Sequence, residues 1–490
     1  MLKHTSFLCL LILGLCSRAE LSAQTASNSR AQLSAQTTDS SQTRIDQLKK
    51  DIPDLMQKAD IPGLSIALIH DGQLVWTGSF GYANTETKKP VTDETLFEAA
   101  SLSKPVFAYG VLKLVDKGQL DLDTPLNKYL GNNYDVAPGD NRINLITARR
   151  VLSHTSGFPN WRPQDSKTLP INFTPGEKFS YSGEGMVYLS KVIEKITGLS
   201  LEDYMQREVL QPLGMRSSSY IWQDRFDTLK SYKHDEFGHP SGRWQPKEGN
   251  AAASLATNAT DYARFLIAML NGNGLKTTTW RQMFTPQIRV NEKYPQVAWG
   301  LGWGLETMDN GVWFWHWGDN GDTKAYITAQ LDTKNAVVYF ANGANGLSIT
   351  QEVLADAIGG EHPALAHLSY QRYNSPARTL LKSILTEGAA PALARYQQQR
   401  QLDTTQKISE NDINSMGYSL LRLKHIDDAI IVFKTNTQDF PGSWNVWDSL
   451  AEGYANKGDK KTAIKYYEQS LSLNPDNKNG AEQLKKLRTP

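Results

Sequence analysis

Strand-forming sequence occurs at two places far apart in this chain, and that separation constrains the fold more than any other feature. "LSIALI" and "QLVWTGSF" flank His70-Asp71-Gly72 and read as a β-hairpin. "WFWHWG", "AYITAQLD" and "NAVVYFANG" follow only after residue 312, and the sequence between is mostly helical. Ile45, Leu48, Ile52 and Leu55 recur at helical spacing just before the hairpin. A helix followed by antiparallel strands begins an α+β domain. We therefore expect an antiparallel sheet flanked by helices, its first and last strands enclosing a helical subdomain, over residues 42–358.

The C-terminal end is of another kind. "AIIVFKTNTQDFP" (429–441) and "AIKYYEQSLSLNP" (463–475) lie 34 residues apart. Ala429, Phe433 and Pro441 match Ala463, Tyr467 and Pro475, and Gly417 matches Ala451. The period and the small/aromatic/proline pattern resemble tetratricopeptide repeats. The expectation is an all-α helical-repeat module over 405–490, its last helix (478–488) a cap, reached through a helical linker over 359–404. Such a module offers a surface for a protein partner.

Lys3 and His4 precede the apolar run "FLCLLILGLC", with small and polar residues around Ala19 and Ala23. This reads as a secretory signal peptide over 1–23, followed by a polar, disordered leader over 24–41. The run is too short for a permanent membrane span. Both cysteines, Cys9 and Cys16, lie inside it. The mature chain then has no thiol chemistry, and Leu15 is bulky where a lipoprotein signal has a small residue before its cysteine. The expected location is outside the cytoplasm, periplasmic or secreted, in a bacterium. With 52 Lys+Arg against 51 Asp+Glu and no long run of either sign, nucleic acid is not the expected partner.

The chemistry centres on "EAASLSKP" (98–105). Val106, Phe107, Val111, Leu114 and Val115 form an apolar helical stripe, and Pro105 places the helix start at or just after Ser101. Ser101 and Lys104, at i and i+3, share one face. A serine hydroxyl attacks a carbonyl only when something takes its proton, and a lysine does so only with a depressed pKa.

The chain from about 45 to 358 resembles the serine β-lactamase and penicillin-binding-protein superfamily, in its class C-like branch of esterases, D-aminopeptidases and β-lactamases. "FEAASLSKP", "RRVLSHTSG", "TPGEKFSYSGEG", "QPLGM" and "HWGDNG" carry the resemblance, in that family's order. It implies Ser101 as nucleophile, with Lys104 and Tyr181 moving its proton. Gly183 stands where the family has an asparagine that contacts a substrate amide. His316 and Gly318 fall on the strand beside the nucleophile; His316 would polarise the site or hold a substrate carboxylate. The backbone N–H groups of Ser101 and Asp319 would form the oxyanion hole.

No metal or organic cofactor is called for. The substrate is a small molecule or short peptide with an ester, D-amino-acid amide or β-lactam carbonyl; Gly183 and His316 favour an ester or small amide. The alternative is a non-catalytic scaffold that binds cell-wall fragments and recruits a partner through its repeats. No GxSxG elbow or HExxH is present. His154 is expected to shape a turn. His234 and His239 are expected in a solvated loop.

Overall fold

The computed structural model describes residues 41–163 and 166–489. The expected signal peptide and nearly all of the polar leader lie outside the described residues. The described chain divides into two compact units, one ending at Tyr370 and the other starting at Gln371.

In the first unit, helix α1 (41–59) leads into strands β1 (Gly63–His70), β2 (Gln73–Asn84) and β3 (Lys89–Pro90). The expected hairpin forms, and Asp71 and Gly72 both take positive φ, as a two-residue turn of this hand requires. After a helical stretch come β4 (Ile288–Arg289), β5 (Val297–Trp299), β6 (Gly304–Met308), β7 (Gly311–Asp319), β8 (Lys324–Gln330) and β9 (Asn335–Ala341). They join one antiparallel sheet in the order β3-β2-β1-β9-β8-β7-β6-β5-β4. First and last strands pair directly, with Leu64 opposite Ala341. The sheet thus closes across the insertion of residues 91–287.

Helix α2 (Ser103–Asp116) carries the predicted stripe, and α3 (Gly183–Thr197) and α4 (Ala259–Asn271) complete the helical layer. Val106, Phe107 and Val111 of α2 share one core with Phe314, Ala325, Ile327, Val338 and Phe340, alternate residues of β7, β8 and β9. This period-two pattern places one face of the sheet against the helices. On the other face, Tyr339 Oη lies 2.6 Å from Thr350 Oγ1 of α5 (Thr350–Ala357). Arg44 of α1 donates to the carbonyl of Asp356 at 3.3 Å.

The second unit stacks helices in pairs. Helices α6 (Pro376–Glu387) and α7 (Ala389–Leu402) precede α8 (Glu410–Arg422), α9 (Ile426–Asp439), α10 (Trp444–Lys457), α11 (Lys460–Leu473) and α12 (Lys478–Arg488). The starts of α8 and α10, and of α9 and α11, are each 34 residues apart. Phe433 explains the glycine in the repeat: a Cβ on Gly417 would come within 2.3 Å of its ring.

The stretch read as a linker over 359–404 is divided between the units. Residues through Tyr370 stay with the first, while α6 and α7 belong to the second. The reason is burial. Leu380, Leu381, Ile384 and Leu393 are in the core, Ala389 N donates to Asp428 at 2.8 Å, and Tyr396 Oη accepts from Ile408 N at 2.8 Å. The repeat helices gain from α6 and α7 the neighbour that two helix pairs alone lack.

Candidate active site

Ser101 sits in a short 3-10 turn, Ala100–Leu102, that runs straight into α2. Ala100 holds φ at 49°, a left-handed conformation that costs a residue with a Cβ about 1–2 kcal/mol. The surroundings enforce it. Ser103 Oγ donates to the Ala100 carbonyl at 2.6 Å, and Ala99 N donates to the Leu255 carbonyl at 2.8 Å. From the other side, β7 presses on the same turn at Gly318, where a Cβ would lie 2.4 Å from the Ala99 carbonyl oxygen. Gly318 is thus required by the approach of the nucleophile's own turn.

Lys104 is fully buried. Its Nζ is 2.9 Å from Ser101 Oγ and 2.8 Å from the Ala252 carbonyl. Burial lowers its pKa to about 7, and no carboxylate offsets that burial. Near neutrality the amine therefore loses its proton readily. The Ala252 carbonyl then holds one N–H and leaves the lone pair for the serine hydroxyl.

Tyr181 lies in the loop just before α3 and is positioned by His154, a residue the sequence suggested only as a turn former. Ser180 N donates to the His154 carbonyl at 2.8 Å, and Ser182 N donates to its Nδ1 at 3.1 Å. The two bonds bracket Tyr181, and the His154 ring centroid is 4.3 Å from that of Tyr181. His154 does occupy a strained turn, at φ 54°. Burial raises the Tyr181 pKa, while the neighbouring Ser101 acts to lower it; the phenol oxygen completes no hydrogen bond. Lys104 Nζ stands 4.7 Å from the Tyr181 ring centroid.

At Gly183 the space for a side chain is taken. A Cβ there would meet the Trp161 ring and the Asn160 carbonyl, each at 3.0 Å, and Gly183 N donates to Asn160 Oδ1 at 2.9 Å.

His316 is buried, with its ring centroid 6.1 Å from that of Tyr181. Its Nδ1 is 2.7 Å from the Trp317 carbonyl, and its Nε2 has no partner among the described residues. Burial, then the charge of Lys104, depress its pKa to about 3, so it is a neutral imidazole. A neutral ring offers a substrate carboxylate a hydrogen bond but no full charge. Trp313, Trp315 and Trp317 alternate along β7. β6 ends opposite Trp315, at Gly304, and beyond it the Trp317 ring reaches to 4.8 Å from Tyr181.

Asp319 is held from two sides. Its carboxylate pairs with Lys324 and accepts from Tyr370 Oη at 2.7 Å. Tyr370 comes from beyond the last strand and carried no sequence signal. His234 also departs from expectation. It is buried, with Nδ1 2.9 Å from the Asn342 carbonyl and Nε2 accepting from Thr85 N at 3.2 Å. The short hairpin that carries it packs on the ends of β9 and β2 instead of projecting into solvent.

The beta-lactamase family model matches residues 48–357, and a tetratricopeptide repeat model matches 444–477. Penicillin-binding protein 4* of Bacillus subtilis is 26% identical over 330 residues, 58% of this chain and 69% of that protein. Esterase EstB of Burkholderia gladioli is 28% identical over 194 residues, 34% of this chain and 49% of the esterase, so the match spans about half of that relative. An octameric penicillin-binding protein homologue from Pyrococcus abyssi superposes with a TM-score of 0.55 at 25% identity, over 69% of this chain and 82% of that one. A class C beta-lactamase shares the fold, with a TM-score of 0.57 at 21% identity over 66% of this chain and 98% of its own. With a family model covering residues 48–357, this chain belongs to the beta-lactamase family of serine hydrolases and carries a tetratricopeptide repeat in its C-terminal unit.

Proposed function

We propose that Ser101 is the nucleophile of an acyl-transfer hydrolase and that neutral Lys104 is its base. The observation that carries this reading is a buried lysine, 2.9 Å from the serine, with no counter-ion to keep it charged. Lys104 takes the Ser101 proton as Oγ bonds to the substrate carbonyl. The backbone N–H groups of Ser101 and Asp319 receive the oxyanion, and Gly318 brings their two segments together. Collapse breaks the bond to the leaving group, which receives the proton from Lys104 by way of Tyr181. Water then enters as second nucleophile and frees the acid and the serine. His316 supplies a neutral ring beside Tyr181.

The substrate class is an ester or small amide in preference to a β-lactam. Gly183 has no side chain with which to offer an amide to an acylamino group, and Trp161 packs close against it. A scaffold that only binds has no use for an unpaired buried lysine. We further propose export, on the charged-then-apolar run at residues 3–16, and recruitment of a protein partner by the repeat unit. Among the described residues no helix is long and apolar enough to cross a membrane.

Intact mass after exposure to a fluorophosphonate probe tests the catalytic reading. One adduct is expected on the wild type and none on Ser101→Ala. An unlabelled, folded wild type would refute it. The same spectrum of protein secreted by its host reports whether the chain is cleaved near Ala23.

A further inference from the structure

A cleft of about 390 Å³ lies near the turn that carries the serine and has a composition of its own. Trp161 and Trp244 line it, with Asn250, Asn320, Glu98 and Lys233. Its wall also includes Ala253, next to the carbonyl that holds Lys104, and Trp161 is the ring lying on Gly183. Glu98 stands three residues before Ser101. The cleft therefore opens beside the reacting centre.

Most of its polar groups are already committed. Glu98 Oε1 lies 3.4 Å from Lys230 Nζ and accepts from Trp244 N at 3.1 Å, and Oε2 accepts from Asn320 Nδ2 at 3.2 Å. Lys230 Nζ in turn donates to the Trp244 carbonyl at 2.7 Å. This buried pair neutralises itself and locks the Trp244 backbone. Asn320 Nδ2 also reaches the Ala253 carbonyl at 3.3 Å. Arg243, the other nearby cation, is paired with Asp227 at 3.7 Å and lies over Tyr232, away from the cleft lining. Lys233 differs from all of these. It is half-buried, lines the cleft, and its ammonium makes no hydrogen bond or ion pair among the described residues. The cleft thus offers two indole rings for an apolar stem and one uncommitted positive charge.

We infer that this cleft is the acyl-side recognition subsite and that Lys233 selects acyl chains ending in a carboxylate, making monoesters or monoamides of dicarboxylic acids the preferred substrates. The inference rests on the acyl-transfer reading above and deepens it. A lysine–carboxylate contact in an open cleft is modest, so the selection it gives is about tenfold or less.

The test compares mono-4-nitrophenyl adipate with 4-nitrophenyl hexanoate, six-carbon chains that differ in the terminal charge, at pH 7.5 and low salt. The adipate monoester should have the higher kcat/KM by about tenfold, equivalent to about 1.4 kcal/mol. Lys233→Gln should abolish that ratio and leave hexanoate within about twofold, and Lys233→Glu should invert it. A wild-type ratio near one, or a ratio that survives Lys233→Gln, overturns the inference. Binding of the same two esters to Ser101→Ala, read by tryptophan fluorescence, gives a Kd ratio that needs no turnover. Failure of the acyl-transfer reading is seen separately, as absence of fluorophosphonate labelling, and the Kd ratio then decides the Lys233 assignment alone.

Discussion

Two of the lysines buried around the nucleophile, Lys104 and Lys230, are given opposite characters by their surroundings. Lys230 meets Glu98 at 3.4 Å and the Trp244 carbonyl at 2.7 Å. Its burial lowers the pKa, but the Glu98 charge opposes that shift. Lys104 meets the Ala252 carbonyl and Ser101 Oγ, with burial alone setting its pKa at about 7. A buried lysine is therefore not a base by virtue of burial. It becomes one where the fold withholds a counter-charge, and it becomes a structural cation where the fold supplies one.

The largest expected effect breaks this comparison in two directions. Lys104→Met should lower kcat/KM on an activated ester by about 10³-fold or more, since the general base contributes on that order. The same substitution should stabilise the protein, by about 2–4 kcal/mol at pH 6, because an ionisable group is no longer carried into the core. The folded pKa of about 7 lies below the ordinary 10.5. The cost of Lys104 to stability is hence greatest below pH 7, shrinks between 7 and 10.5, and vanishes above. The gain from Lys104→Met should follow that course in urea titrations at several pH values; a pH-independent gain would contradict the depressed pKa. Lys230→Met should do the reverse and destabilise by about 3 kcal/mol, because Glu98 is left buried and unpaired.

Next in size is the positioning of Tyr181. His154→Ala removes the acceptor for Ser182 N and the ring beside the phenol, and is expected to lower kcat about tenfold or more with a smaller change in KM. His154→Asn, which keeps an acceptor near the same place, should recover part of the loss. The pH profile gives a finer measure. Activity on an ester should rise with pH along a limb near 7, where Lys104 becomes neutral, and His316 should add no limb between pH 5 and 9, since its pKa is already near 3.

How far the sequence foretold this site depends on whether a residue's neighbours are local. Ser101 and Lys104 are one helical turn apart, so their spacing alone placed them together. Gly318 was legible as a small residue on a strand; that it admits the Ala99 carbonyl became visible only when β7 met the nucleophile's turn. Trp161, Lys233 and Tyr370 left no local pattern at all. Each reaches the site from a loop, a short hairpin or the segment beyond the last strand, whose path is set by tertiary packing. The repeat unit stands at the other extreme. Its contacts lie within and between neighbouring helix pairs, and the 34-residue period carried most of its architecture.

Tyr370 offers the smallest and sharpest test. Its hydroxyl donates to Asp319 Oδ2 at 2.7 Å, while Oδ1 is engaged by Lys324 and accepts from Gly321 N at 2.9 Å. The Lys324 pair and the Gly321 bond already fix the carboxylate, so the tyrosine adds a third restraint to a residue whose backbone N–H is assigned to the oxyanion. Tyr370→Phe keeps the ring and removes one hydrogen bond, a change on the order of 1 kcal/mol. If Asp319 is an oxyanion donor, kcat should fall about two- to fivefold with KM nearly unchanged, because the restraint matters most when charge develops on the oxygen. Equal loss for the acylation of Ser101 by a neutral ester and by a fluorophosphonate, both of which place an oxygen in that hole, would support the assignment. A change in KM alone would place Tyr370 on the substrate path and leave Asp319 without a part in the transition state.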